Sequence, residues 1–272
     1  MKYIIAVSGG VDSVVLLDMM TKASKDELIV AHFDHGIRED SAEDAQFVSE
    51  LANKYGLVYK SKREELGKNA SEALARERRY AFLRGLAKEY NARIVTAHHL
   101  DDLVETVVIN VQRGTGWRGL AVLDSGVMRP LIDTPKQHII SYAQANGLAW
   151  REDSTNASDA YLRNRIRRKT MGLDDDSKRQ LRALHSHQKQ LKREIDTEVV
   201  LLVGEGPEYS RYLLTHLQDL AALECLRFIT KGKLTRPQLK RSLLAIKTAA
   251  AGSAYEAGSG VNIRFGTRHF SL

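Results

Sequence analysis

The sequence is poor in several things that would have directed its reading elsewhere. It carries one cysteine, Cys225, among 272 residues. A single thiol closes no internal disulfide, and such usage suits a reducing, cytosolic setting. In its apolar context, Leu-Glu-Cys-Leu-Arg-Phe, the expectation is an inert core thiol. There is no run of eighteen apolar residues, so a helical membrane span is not expected. The opening Met-Lys-Tyr-Ile-Ile-Ala-Val-Ser-Gly-Gly turns to glycine too early to read as a secretory leader. The loop after the first apolar run has neither Gly-x-Gly-x-x-Gly nor Gly-Lys-Ser/Thr, the two commoner nucleotide signatures.

What is present is ordinary in bulk and uneven in place. Hydrophobic content of 43% and charge of 28% fit a globular chain. The 41 basic residues outnumber 34 acidic ones, a net charge of +7 that favours a polyanionic partner. The excess is local. Between Tyr161 and Arg193 stand eleven Lys or Arg, against only Asp174, Asp175 and Asp176.

Hydrophobic periodicity alternates over the first hundred residues. Strands are expected at Tyr3–Val7, Leu28–Phe33, Val58–Lys62 and Arg93–Ala97, with helices at Val11–Thr21, Ser41–Tyr55, Ser71–Tyr90 and Leu100–Arg113. Ser41 is a plausible N-cap for the second of these helices. Such alternation predicts an α/β fold, a Rossmann-like parallel sheet with helices on both faces and ligands at the carboxyl ends of its strands. Beyond Gly114 the regularity fades. Met128-Arg-Pro-Leu reads as extended, because the residue before Pro130 is pushed away from helix. Pro135 can open a helix, and mainly helical chain follows from about 160 to 249, ending in a small terminal hairpin. The expected division is a domain of residues 1–165 followed by a helical region of 166–272.

The first loop reads Ser8-Gly9-Gly10-Val11-Asp12-Ser13. Two glycines permit positive φ and bring backbone amides close to a ligand. With the first amides of the following helix they make an anion-binding hollow. Ser8 and Ser13 add hydroxyl donors, and Asp12 can cap the helix or help hold a metal ion bridging phosphates. The plainer alternative is a tight turn capped by Asp12.

This hexapeptide resembles the PP-loop of the N-type ATP pyrophosphatases, which cleave ATP between the α- and β-phosphates. Further stretches are similar, in order and spacing, to motifs of the tRNA(Ile)-lysidine synthase family. They are Ala31-His32-Phe33-Asp34-His35-Gly36-Ile37-Arg38, His98-His99-Leu100-Asp101-Asp102-Leu103-Val104-Glu105 and Gln112-Arg113-Gly114-Thr115-Gly116. Arg129-Pro130-Leu131, Arg151-Glu152-Asp153-Ser154-Thr155-Asn156 and Arg163-Asn164-Arg165-Ile166-Arg167 complete the set. One departure is Leu103, where the family usually has glutamine.

The resemblance implies an ATP-dependent ligase that adenylates the C2 oxygen of a wobble cytidine in the CAU-anticodon isoleucine tRNA. The ε-amine of free lysine then displaces AMP to form lysidine. It also implies site residues. Ser8, Gly9, Gly10, Val11, Asp12, Ser13, Asp34, His98, Arg113 and Gly114 are expected at ATP, with magnesium on its phosphates. Asp34, Asp102 and Arg113 are expected to be catalytic, and Asp102 and Glu105 to hold the lysine amine. Arg163, Arg165, Arg167, Arg168 and Lys169 are expected on tRNA, as guanidinium groups favour phosphates and splayed bases. A homodimer is an open expectation. The paired histidines have no cysteine partner, so hydrogen bonding is expected of them before zinc. Two rivals stand beside this reading. One is a thiolase of the same superfamily, which would generally need a cysteine pair or an iron–sulfur cluster. The other is a non-catalytic nucleotide- or RNA-binding homologue.

Overall fold

The structure is a computed structural model describing residues 1–23, 25–36, 41–67, 70–123, 126–152, 162–170 and 172–272; side chains 41, 72 and 162–164 lie outside that description. The N-cap expected of Ser41 and the loop Asp153-Ser154-Thr155-Asn156 therefore fall beyond it. The chain forms two compact units, Met1–Lys189 and Gln190–Leu272.

In the first unit the alternation of strand and helix is realised. It contains β1 (Lys2–Ala6), α1 (Val11–Ala23), β2 (Glu27–Asp34), α2 (Ser41–Lys54), β3 (Val58–Arg63), α3 (Glu72–Tyr90), β4 (Arg93–Val95), α4 (Leu100–Gln112), α5 (Lys136–Ala145), α6 (Leu162–Thr170) and the first part of α7 (Asp175–Val203). The strands lie in the order β3-β2-β1-β4, and each pairing is parallel. Strand β4 stops two residues before the expected Ala97. Thr96 N–H donates to Met128 O at 3.0 Å, and the extended piece at Met128 makes one parallel bridge to Val95.

Two-residue periodicity divides β1 between two cores. Tyr3, Ile5 and Val7 pack with Val15, Leu16 and Leu17 of α1, Val48 and Ala52 of α2, and Ile139 and Ala143 of α5. On the opposite face, Ile4 packs with Ile29, Ala31 and Ile94 against Tyr80, Leu83 and Leu86 of α3. Burying each large aliphatic side chain here contributes about 1.5–3 kcal/mol, which suits β1 to an interior place in the sheet. The helices of the first face share a polar anchor. Asp18, 2% exposed, accepts from Tyr55 Oη at 2.7 Å and Tyr142 Oη at 2.8 Å, and pairs with Lys22 at 2.8 Å.

The second unit has its own core. It continues with β5 (Glu208–Ser210), α8 (Arg211–His216), α9 (Asp219–Ile229), α10 (Arg236–Thr248), β6 (Ala254–Gly258), β7 (Val261–Phe265) and β8 (His269–Ser271). Leu223, Leu226, Leu239 and Ile246 pack with Ile263, Phe265 and Phe270. Cys225 is buried here, and burial pushes its thiol above the ordinary value. The expected terminal hairpin is one part of a larger antiparallel sheet, ordered β5-β8-β7-β6. Its fourth strand, β5, is only three residues long and too short to show a period.

The compact units divide later than the expected boundary near 165. Residues 166–189 belong with the first unit, because Arg167 and Lys178 are ion-paired to carboxylates of α4.

Asp18 generates a stability prediction. Burial alone would raise its pKa, but the donated hydrogen bonds of Lys22, Tyr55 and Tyr142 hold it below the ordinary value. A depressed folded value gives stability that is present above the unfolded pKa, near 4, and lost as pH falls through the folded one. Asp18→Asn should therefore cost about 2 kcal/mol at pH 7 in urea unfolding, with the difference shrinking by pH 3. A difference unchanged between the two pH values would contradict the assignment.

Candidate active site

Three connections leave the carboxyl ends of the adjacent strands β2, β1 and β4. The central one is the loop Ser8–Gly10. Gly9 takes φ +93°, a backbone state that disfavours any side chain. The loop is tied to itself, with Ser8 N–H donating to Ser13 Oγ at 3.2 Å and Ser13 Oγ donating to Gly10 O at 2.8 Å. Arg151 N–H donates to Gly9 O at 2.9 Å, pinning the loop from outside. Val11 and Asp12 open α1, where helix geometry provides no intrahelical carbonyl for the first amides. Such amides, at the positive end of a helix dipole, suit an anion.

After β2, Asp34 is 7% exposed; its Oδ1 accepts from Gly36 N–H at 2.8 Å, while its Oδ2 faces Arg63 Nη1 at 3.2 Å. Gly36 stands at φ +61°, where a Cβ would meet Glu65 Oε2 at 2.6 Å. His32 is buried, with Nδ1 2.9 Å from Val7 O, so it ties β2 to the start of the loop.

After β4 comes the start of α4. His99 is 4% exposed and faces three carboxylates: Asp102 at 3.4 Å, Asp101 at 3.6 Å and Asp12 of the loop at 3.8 Å. Burial alone would depress the imidazole, but these carboxylates outweigh it and hold the pKa above the ordinary value. His98 behaves oppositely. Burial pushes it down to about 3; Asp102 opposes this, and the guanidinium groups of Arg129, Arg76 and Arg79 add to it. One imidazole thus favours the charged form and its neighbour stays neutral. The neutral ring is hydrogen-bonded, with Thr96 Oγ1 2.8 Å from His98 Nδ1.

A family model described as the PP-loop domain matches residues 1–173. The chain belongs to the PP-loop family. It is 42% identical over 172 residues to a tRNA(Ile)-lysidine synthase of Thermus thermophilus, an alignment covering 60% of this chain and 34% of that one. Proteins of the same name from Enterococcus faecalis and Geobacter sulfurreducens are 37% and 38% identical, over 62% and 61% of this chain and 40% and 38% of theirs. The chain thus spans roughly a third to two fifths of the length of these relatives. Among solved structures, the U34-tRNA thiolase NcsA from Methanococcus maripaludis, with its [4Fe-4S] cluster, is similar in fold. The TM-score is 0.59 at 20% identity, over 70% of this chain and 72% of that one.

In this PP-loop protein, the remaining expected site residues separate into two groups. Asp102 and Glu105 do share one face of α4, but that face is already engaged. Glu105 is 1% exposed and accepts from Arg167 Nε at 2.7 Å, while Arg167 Nη2 lies 3.9 Å from Asp102. Arg167, expected on RNA, is turned inward beside the buried Ile166. Arg165, Arg168 and Lys169 of the same helix are exposed, and the Arg163 side chain lies outside the described residues. Arg113 caps the C-terminus of α4, and Gly114 follows it at φ +64°. They follow α4 at its far end, about 20 Å along the helix from Leu100. Leu103 is fully buried with Leu100 and Val107, so the departure from glutamine is absorbed as packing.

Sequence reading missed two cations. Lys136 Nζ is 2.6 Å from Asp12 Oδ1, and Lys178 Nζ is 2.7 Å from Asp101 Oδ1. Asp101 also accepts from Lys136 N–H at 2.7 Å. Burial alone would raise its pKa, but the bonds from His99, Lys178 and this amide hold the carboxyl well below the usual range. The only signal in the sequence was that a phosphate loop lacked its own lysine.

The histidine pair predicts distinct titrations. In a proton–nitrogen NMR titration, His98 should stay neutral at every pH above about 4, while His99 should be charged beyond the ordinary value of about 6.5. Asp102→Asn should move the His99 midpoint downward. Two histidines titrating together near 6.5 would contradict the arrangement.

Proposed function

We propose that this chain is the nucleotide-binding and catalytic part of a tRNA(Ile)-lysidine synthase, ligating free lysine to the wobble cytidine of the CAU-anticodon isoleucine tRNA. One juxtaposition carries the reading. His99 lies within 4 Å of both the loop carboxylate Asp12 and the α4 carboxylate Asp102, so a phosphate cradle and an amine-binding face share one centre. The PP-loop family model spans the region that contains both.

In the first step the C2 oxygen of the cytidine attacks the α-phosphorus of ATP, and the bond to the β-phosphate breaks. Pyrophosphate leaves into the Ser8–Ser13 loop, whose amides and hydroxyls face its charge. Asp34 and the neutral His98 lie on the connections beside this loop, in position to meet the nucleotide and the target base. In the second step the ε-amine of lysine attacks C2 and AMP departs. The amine must first lose a proton, and Asp102 and Glu105 are the acceptors on this face. A lysine ammonium entering there shares those carboxylates with Arg167. Exposed Arg165, Arg168 and Lys169 fit an RNA backbone, as does the local excess of positive charge.

Magnesium fits as a companion of the nucleotide. Among the described residues no group of three or more His, Cys, Asp or Glu could hold a metal ion. Magnesium commonly takes only one or two carboxylates and binds the substrate's phosphates with its other positions. Asp12 would be the carboxylate that holds it, and the ion would neutralise phosphate charge.

The direct test incubates the protein with ATP, labelled lysine and transcribed isoleucine tRNA, with a cytidine-substituted tRNA as control. Label should be retained only on the first tRNA; ATP binding without lysine transfer would overturn the reading. Two variants divide the steps. Asp12→Ala should abolish ATP–pyrophosphate exchange, whereas Glu105→Gln should lower lysine use at least about tenfold with exchange largely kept. Equal loss of both steps in both variants would refute that division.

A further inference from the structure

We propose that Lys136 is the phosphate-gripping cation of this PP-loop, held on Asp12 until pyrophosphate or a nucleotide triphosphate arrives. This rests on the reading of Ser8–Ser13 as a phosphate loop. Lys136 begins α5, far from the loop in sequence, and its ammonium lies 2.6 Å from Asp12 Oδ1. Its backbone is fixed independently of that contact. Pro135 precedes it at φ −61°, and Asp101 accepts the Lys136 amide at 2.7 Å. An anchored Cα with a four-carbon stem delivers a movable charge to one place.

Lys136, Arg167 and Lys178 each reach a carboxylate of this centre, and they differ in how tightly they are committed. Arg167 is bound to Glu105, whose side chain is 2% exposed, and Lys178 is itself 12% exposed. Moving either would give up a close ion pair to a desolvated carboxylate. The Lys136 and Asp12 side chains are 37% and 30% exposed. Water can therefore take over at Asp12 when Lys136 leaves, and the ammonium exchanges one carboxylate for a more highly charged phosphate group. The first turn of α1 carries Asp12 beside the loop amides, so a small swing of the lysine stem spans the two positions. A loop without its own lysine thereby acquires one from α5.

Binding of inorganic pyrophosphate, ATP and adenosine is measured by calorimetry in chelator, for the wild type and for Lys136→Gln, Lys136→Arg and Asp12→Asn. Lys136→Gln should weaken pyrophosphate and ATP about ten- to a hundredfold and leave adenosine unchanged. Lys136→Arg should recover most of that loss. Asp12→Asn should raise pyrophosphate affinity, because the lysine no longer has a competing partner. If Lys136 merely braced Asp12, both Lys136→Gln and Asp12→Asn would weaken pyrophosphate, which would overturn the proposal, as would equal affinity in wild type and Lys136→Gln. The Asp12→Asn arm still decides should Lys136→Gln fail to fold. A wild-type protein binding neither ATP nor pyrophosphate would instead overturn the phosphate-loop reading itself.

Discussion

Four carboxylates crowd one end of the first unit's sheet, and their charge has to be compensated. Asp12, Asp101 and Asp102 all lie within 4 Å of the buried His99, and Glu105 sits one helical turn beyond Asp102. The imidazole takes part of this negative charge. Lys136 of α5, Arg167 of α6 and Lys178 of α7 take more of it. Losing a cation costs most where the carboxylate is desolvated, as at Glu105, and least at the partly exposed Asp12. Arg167 and Lys178 thus tie α6 and the start of α7 to α4 by electrostatics, beside the buried Ile166. For the same reason the first compact unit ends at Lys189 and not where the βα alternation stops.

The same constraint gives the candidate site its chemistry. A centre rich in paired carboxylates can exchange internal cations for substrate ones at little net cost. In the proposed reaction, lysine's ammonium replaces or shares Arg167 on one side. On the other, phosphate charge can draw Lys136 away from Asp12. Between them, His99 is biased toward its charged form and His98 is held neutral. Two neighbouring imidazoles in opposite states follow from carboxylates outweighing burial in one case and guanidinium groups reinforcing it in the other.

Most of the sheet was legible in the sequence, because β1, β2 and β4 are short apolar runs and α1–α4 follow them with helical periodicity. The loop was legible because its glycines and hydroxyls have few other uses between a strand and a helix. What was not legible is long-range. Lys136 meets Asp12 across 124 residues and Arg167 meets Glu105 across 62, and a charge run gives no sign of which member turns inward. Arg167 therefore read as one more exposed basic residue. In the second unit, β5 joins the terminal sheet through three residues, too few to betray a strand period.

The central claim is that the loop receives pyrophosphate, so that ATP is cut between the α- and β-phosphates. The most direct measurement is the nucleotide product formed with isoleucine tRNA and lysine, separated by anion exchange. The account predicts AMP and pyrophosphate in equal amounts, rising with the lysine incorporated. Release of ADP and orthophosphate would contradict it.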